Sequence, residues 1–196
     1  MRDPILLFDL GGVLVDLANP VEAIGLDMTS EEFWTTWLQS PLVRRFETGR
    51  LATTDFIGQF GTELGFDEAA EFDRALRRWR LPMFSGAEQA LQSLTQLHTV
   101  ALLSNTNEIH WNHVNTQSEV FAQFDKLFLS YETGNAKPTE AAFDDVVRHF
   151  DCDPSQIVFF DDSAGNVDAA RQRGLRAVQV SGWDKVEIEL ARILRP

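Results

Sequence analysis

Four short apolar runs recur along the chain, Ile5 to Phe8, Thr99 to Leu103, Ile157 to Phe160 and Leu175 to Val180, with Lys126 to Leu129 as a weaker fifth. Runs that are apolar at every position, rather than at every second one, describe strands buried on both faces, the habit of a parallel sheet covered by helices. Between them the period lengthens to that of a helix. Phe143, Val146, Val147 and Phe150 stand at i, i+3, i+4 and i+7, and Leu91, Leu94 and Leu97 make a similar stripe ahead of the run at 99. Gly174 follows the 163–173 stretch where a helix would end. The pattern predicts an α/β fold, a Rossmann-like parallel sheet with βαβ crossovers, flanked by helices.

Residues 18–83 break the alternation. Thr29 with Glu32 makes a capping box, Phe33 and Trp37 are four apart, Phe56, Phe60 and Leu64 repeat every four residues, and Phe72, Leu76 and Trp79 form a third such stripe. Several amphipathic helices and no strand are expected here, with Pro20 and Pro82 as punctuation. A helical bundle inserted after the first strand makes a small cap over that strand's C-terminal end, where open parallel sheets bind ligands. The expected organisation is an α/β core of residues 1–17 and 84–196 with a helical cap at 18–83.

At 196 residues the chain accommodates one domain with an insertion, not two full domains. Its 17 basic and 30 acidic side chains give a net charge of −13 and a pI near 4.6. A phosphate backbone or an anionic lipid surface is repelled by such a chain, so neither nucleic acid nor membrane is expected as a partner. The single cysteine, Cys152, can form no internal disulfide and is too little for a thiolate zinc site. The first apolar run is closed after four residues by Asp9, far short of a signal-peptide core or a membrane span. A cytoplasmic setting is the expectation.

Polar residues gather where the apolar runs end. Asp9 closes the first strand and is followed by Gly11-Gly12, a carboxylate beside backbone free to approach a ligand. The second ends in Ser104-Asn105-Thr106-Asn107, whose hydroxyl and amides suit phosphate oxygens as well as they suit a helix cap. Lys137-Pro138, carrying one of only three lysines, opens a further helix, where a solvated lysine is the ordinary outcome. The 157–160 strand runs into Asp161-Asp162. Adjacent carboxylates repel, which argues for a hard divalent cation held through oxygen. Each segment alone has a structural explanation as a turn or cap. Asp9, Ser104, Lys137 and Asp161-Asp162 together at strand ends or a helix start are too consistent for accident.

In that order, Phe8-Asp9-Leu10-Gly11-Gly12-Val13-Leu14-Val15-Asp16, Leu103-Ser104-Asn105-Thr106-Asn107, Ala136-Lys137-Pro138 and Phe159-Phe160-Asp161-Asp162 with Asn166 resemble the four motifs of the haloacid-dehalogenase-like hydrolase superfamily. The resemblance spans the whole chain. It is nearest to small-capped bacterial phosphatases of the alpha-D-glucose-1-phosphate phosphatase type, which share the Asp-Leu-Gly start, the Ser-Asn-Thr-Asn-x-x-His segment ending at His110 and a cap segment like Glu47-Thr48-Gly49. The resemblance implies a Mg²⁺-dependent phosphatase acting on a small phosphorylated metabolite, most simply a sugar phosphate. Asp9 is then the nucleophile that becomes an aspartyl phosphate. Ser104 and Lys137 complete the catalytic set and hold phosphate oxygens, with Gly11, Gly12, Asn105, His110 and Glu47 as further phosphate- or substrate-binding positions. Asp9, the Gly11 carbonyl, Asp161 and Asp162 form the implied metal set, supported by Asn166, which can hydrogen-bond but adds no charge. A monomer or weak dimer is the expected assembly.

One position departs from the family. Where most phosphatases of the superfamily have a second Asp to protonate the leaving group, this chain has Gly11, and loss of a positioned acid or base typically forfeits about 10²–10⁴ in rate. A slow enzyme, a substitute from the cap, or an undemanding leaving group such as a sugar C1 hydroxyl each answers that loss. Asp16 is a poor substitute, lying beyond a Val-Leu-Val run and placed to cap the linker. Glu47, with Arg44, Arg45 and Arg50 around it, is the cap's candidate, although charged surface helices are the commoner explanation. Among the five tryptophans, Trp34, Trp37, Trp79 and Trp183 read as packing, while Trp111 beside His110 is the one placed to stack on a substrate. His113 reads as a helix-surface histidine. Two rivals stand against the phosphatase. A 2-haloacid dehalogenase would need no metal and would usually lack the Asp161-Asp162 pair, and a degenerate binding protein would have no need of the nucleophile.

Overall fold

The computed structural model describes residues 3–194. Five parallel strands, β1 (Ile5–Phe8), β2 (Val100–Ser104), β3 (Lys126–Leu129), β4 (Ile157–Asp161) and β5 (Arg176–Gln179), lie in the order β3-β2-β1-β4-β5. The central strand pairs Leu7 with Ala101 on one side and Phe159 on the other. Alternate residues face opposite layers. Leu6, Phe8, Leu102 and Phe160 pack with Leu91 of α6 (Ala87–Leu97), Val114 of α7 (Glu108–Asn115) and Val186 of α11 (Trp183–Ile193). Leu7, Ala101, Leu103 and Phe159 pack with Phe143 and Val146 of α9 (Glu140–Phe150) and Val167 of α10 (Ala164–Gln172). This two-sided burial is the one the uninterrupted apolar runs call for.

β1 and β3 match the expected runs, and the ends of β2, β4 and β5 differ from them by one residue. Leu175 is excluded from β5 because its N–H is taken by Ala170 O at the end of α10, 3.1 Å away. Asp161 joins β4 because Val180 N–H donates to its carbonyl. Lys137 does not open a helix. It lies in the loop between the short α8 (Ser130–Thr133) and α9, whose N-cap is Thr139.

The cap comprises α1 (Pro20–Ile24), α2 (Ser30–Gln39), α3 (Pro41–Glu47), α4 (Thr53–Glu63) and α5 (Ala69–Leu76). The Thr29–Glu32 capping box is formed, Glu32 N donating to Thr29 Oγ1 and Thr29 N to Glu32 Oε2. The predicted aromatic stripes meet in one core. Phe56 is fully buried, stacked on Phe46 with centroids 4.1 Å apart and on Phe60 at 5.2 Å, while Phe33 and Trp37 stack at 5.7 Å. The chain leaves and re-enters the core side by side, Asp16 N donating to Pro82 O and Phe84 N to Leu14 O. No described helix is long and apolar enough to cross a membrane.

Candidate active site

Asp9 leaves β1, Ser104 ends β2 and Asp161 ends β4, so three polar side chains converge on the carboxyl edge of the central strands. Lys137 reaches the same point from the loop before α9. Far from being solvated, it is 1% exposed, and its Nζ lies 2.7 Å from Asp9 Oδ1 and 2.6 Å from Asp161 Oδ2. Asp161 is fully buried and also accepts from Ser163 N at 2.8 Å and from Asn166 Nδ2 at 3.0 and 3.1 Å. With both oxygens so engaged, Asp161 is equipped to hold Lys137 in place. Asp9 Oδ1 further accepts from Leu10 N at 2.7 Å.

The carboxylates of Asp9, Asp161 and Asp162 offer oxygens within 4.8 Å of one another, the one such group among the described residues. Burial pushes the Asp9 carboxyl up to about 8 despite the adjacent Lys137. Burial, then the charge of Asp161, also raises Asp162. For Lys137, burial disfavours the ammonium, but Asp161 and Asp9 outweigh it and hold its pKa above the ordinary lysine value. Ionised together, three carboxylates against one ammonium would carry an uncompensated charge of about −2, which the upward shift of Asp9 resists, and such a cluster of hard oxygen donors fits a divalent cation such as Mg²⁺. Gly12 makes room for the Asp162 carboxylate. Its φ is +69°, and a Cβ there would stand on the Asp162 carboxylate.

The surrounding loops are fixed by polar clamps. Asn105 uses its whole side-chain amide on one residue, Oδ1 accepting from Lys137 N at 2.8 Å and Nδ2 donating to Lys137 O at 2.9 Å. These bonds position the lysine loop, and Asn105 also lines the cavity between cap and core. Arg44 of α3 spans from the cap to donate to the carbonyls of Lys137 at 3.1 Å and Ala136 at 3.3 Å. Ser130 Oγ accepts from Thr106 N and donates to Thr106 O, tying the β2 loop to α8. Gly49, at φ +67°, lies so close to Tyr131 O that a side chain there would strike it, so the cap seats directly on α8. Arg50 donates to Gly134 O, on the same side of the cap.

Between cap and core lies a cavity of about 670 Å³, lined by Asp9, Gly11, Ser104, Asn105, Lys137, Asp162 and Asn166 on the core side. Glu47, Arg44, Trp34, Trp37 and Leu38 face it from the cap, with Leu17, Trp79 and Leu81 from the linkers and His110 from α7. The half-buried Glu47 accepts from Trp37 Nε1 at 3.3 Å, and burial raises its carboxyl to about 7 against the pull of that bond and of Arg44. His110 is 7% exposed. Asn107 Oδ1 accepts from His110 N, so the Asn107 amide nitrogen donates to His110 Nδ1 at 3.1 Å and the ring proton sits on Nε2. That Nε2 has no partner, and burial lowers the ring to about 3, keeping it neutral.

The tryptophan expected to stack on a substrate does not reach the cavity. Trp111 is buried against Phe121 at 5.3 Å and does not line the cavity, because one residue past His110 the helix has turned by about 100°. Trp34, Trp37 and Trp79 line it instead. Their indoles pack on the cap core and against one another, Trp37 to Trp79 at 5.5 Å, so one wall serves as both core and cavity. His113 is half-buried, with Nδ1 3.3 Å from Arg80 Nη1. Asp16 caps its linker, its Oδ1 accepting from Ala18 N. Asp9, Ser104, Lys137, Asp161, Asp162 and Asn166 are thus brought together, with Glu47 and His110 across the cavity.

A Rossmann-like sheet with a carboxylate–lysine cluster at its carboxyl edge, roofed by a helical insert after β1, defines a capped α/β hydrolase. The chain belongs to the haloacid dehalogenase-like hydrolases, whose family model matches residues 4–174. It is similar to a D-ribitol-5-phosphate phosphatase of Bacteroides thetaiotaomicron, 27% identical over 204 residues that cover 96% of this chain and 97% of that protein. A sesquiterpene phosphatase of Aspergillus oryzae is 25% identical, with 96% and 95% covered. The crystal structure of an enzyme of this family from Bacteroides thetaiotaomicron, in complex with magnesium and inorganic phosphate, superimposes with a TM-score of 0.76 at 26% identity, covering 92% of this chain and 95% of that one.

Proposed function

We propose that this chain is a Mg²⁺-dependent phosphomonoester hydrolase in which Asp9 attacks phosphorus and is transiently phosphorylated. The observation that carries the reading is the buried Lys137 held between Asp9 and Asp161, with Asp162 alongside, on the floor of a cavity of about 670 Å³. Residues 1–17 and 84–196 are the catalytic core and residues 18–83 its cap. Asp9 and Asp162, with the Gly11 carbonyl, would hold the cation, and Asp161 would act on it from behind through Lys137 and Asn166. When bound, Mg²⁺ supplies two positive charges that offset the carboxylates and the incoming phosphoryl group. Lys137 fixes the orientation of Asp9 through Oδ1 and leaves Oδ2 as the attacking atom. Ser104 is placed to hold a phosphoryl oxygen, and the free Nε2–H of His110 to donate to a substrate oxygen deeper in the cavity.

The phosphatases and the magnesium and phosphate complex among the similar proteins support this reading, and the adjacent acids Asp161 and Asp162 speak against metal-free dehalogenation. Substrates of the sugar phosphate class, including the hexose 1-phosphates suggested by the resemblance to alpha-D-glucose-1-phosphate phosphatases, are the first to try, in a cytoplasmic protein that is a monomer or weak dimer. The test is phosphate release over sugar, polyol, organic-acid and nucleotide phosphates, with Mg²⁺ and with chelator. Activity should vanish with chelator and in Asp9→Asn. Turnover indifferent to both overturns the mechanism, and no turnover on any ester leaves a binding protein.

A further inference from the structure

Hydrolysis of an alkyl phosphate through a phosphorylated carboxylate needs a proton for the departing alkoxide and then a base for the attacking water. The loop after Asp9 cannot provide one. Gly11 offers only backbone, and Leu17 Cδ2 stands 2.9 Å from where its Cβ would be. Lys137 is held between two carboxylates, Asp161 has its oxygens filled, and His110 is neutral with its proton on Nε2. Outside the carboxylate cluster, Glu47 is the one acid facing the cavity among the described residues.

We propose, building on the phosphatase reading above, that Glu47 is the proton-transfer residue of this site, delivered from the cap in place of a side chain at position 11. Its position is determined from both sides. Trp37 Nε1 holds Oε1, Arg44 one turn earlier is bonded to the Ala136 and Lys137 carbonyls, and Gly49 two residues later lies against Tyr131 O. The charged and polar groups around it are Arg44 on its own helix, Trp37 on α2, Lys137 from the core loop, and His110 and Asp9 across the cavity. With its carboxyl near 7, Glu47 is populated in both protonation states at neutral pH, so it can give a proton and recover one.

The steps balance. Asp9 Oδ2 bonds to phosphorus as the bond to the leaving oxygen breaks, and the Glu47 proton passes to that oxygen, releasing the alcohol. Glu47 carboxylate then takes one proton from water as the water oxygen bonds to phosphorus, the Asp9–phosphorus bond breaks and inorganic phosphate leaves, with Glu47 protonated again.

The test compares benzyl phosphate, whose leaving group is an alkoxide, with p-nitrophenyl phosphate, whose leaving phenolate needs no proton. In Glu47→Gln, kcat/KM on benzyl phosphate should fall by about 10² or more, against no more than about threefold on p-nitrophenyl phosphate. Water activation should become slow, giving a burst of one equivalent of p-nitrophenolate. Trp37→Phe removes a bond that favours the carboxylate, so the basic limb of kcat/KM on benzyl phosphate should move to higher pH. An equal loss on both substrates without a burst, or undiminished benzyl phosphate turnover, overturns the proposal. If Glu47→Gln fails to fold, a basic limb unmoved by Trp37→Phe overturns it equally. Turnover of p-nitrophenyl phosphate by the unaltered protein that survives Asp9→Asn overturns instead the phosphatase reading on which the proposal rests.

Discussion

Replacing Lys137 by Met leaves two carboxylates facing a methyl group. The ammonium lies 2.7 Å from Asp9 and 2.6 Å from Asp161, with side-chain exposures of 1%, 12% and 0%. At an effective dielectric of about 20, each contact carries roughly 6 kcal/mol of attraction. Desolvation of the three ions offsets most of that, and removing one partner of a buried pair typically costs about 3–5 kcal/mol. The loss here is bounded from both sides. Asp161 keeps the Ser163 and Asn166 donors, and Asp9 can take up a proton, so about 4 kcal/mol is expected, or a fall in melting temperature of roughly 8–16 °C for a chain this long. Thermal and urea melts at pH 7.5 in chelator, on Lys137→Met, Asp161→Asn and the double variant, measure it. Asp161→Asn removes the same ion pair, so the double variant should be at least about 2 kcal/mol more stable than the sum of the single losses predicts. Losses that add within about 0.5 kcal/mol would mean that the two groups are not coupled, and the account of Lys137 as a clamped residue would be wrong.

Three further outcomes follow from the same geometry. The Glu47 carboxyl lies at about 7 in the folded chain against 4.5 unfolded, so the stability it contributes is present below pH 4.5 and is lost as pH rises through 7. Melting temperature between pH 5 and 7 in chelator should therefore decline less steeply in Glu47→Gln, and an unchanged slope refutes the shift. Gly12→Ala places a methyl on the Asp162 carboxylate in a left-handed backbone position, and Mg²⁺ titration by calorimetry should show binding weakened by about tenfold or more. Phe56→Ala opens a cavity between Phe46 and Phe60 and should cost about 3–5 kcal/mol in urea melts, far more than truncating the exposed Leu38.

What was legible in the sequence and what was not divides along a physical line. Strands buried on both faces must be apolar at every position, so all five appear in the pattern, with ends displaced by a single residue. The reactive groups at strand ends were legible because strand and side chain are adjacent in the chain. Burial of Lys137 was not, since a lysine read as opening a helix before a proline is ordinarily solvated until the two carboxylates that neutralise it are brought up. Trp111 misled because adjacency along a helix is not adjacency in space. Phe33 and Trp37 stand four apart on one helical stripe, but nothing local indicates that one edge of a packed indole also lines a cavity.

The clamps were the least legible part. The Lys137 carbonyl belongs to a buried loop with no strand or helix to satisfy it, whereas the Ala136 carbonyl also accepts from Thr139 N and Oγ1, and an unpaired buried carbonyl costs about 1–3 kcal/mol. Arg44 meets the need from 93 residues before Lys137, and Asn105 from 32 residues before it. A guanidinium presents several donors in a fixed fork and a carboxamide presents a donor beside an acceptor, so Arg44 reaches two carbonyls at once and Asn105 engages both backbone groups of one residue. Those same properties make Arg resemble a surface charge and Asn a ligand for phosphate when only neighbours in sequence are considered. Because Arg44 belongs to the cap and its acceptors to the core, its bonds also fix the height of the cap over Asp9. An Arg44→Lys exchange would keep the charge but lose the two-pronged contact, leaving Glu47, three residues further along the same helix, held over the site only by Trp37 and by the seating of Gly49 on Tyr131.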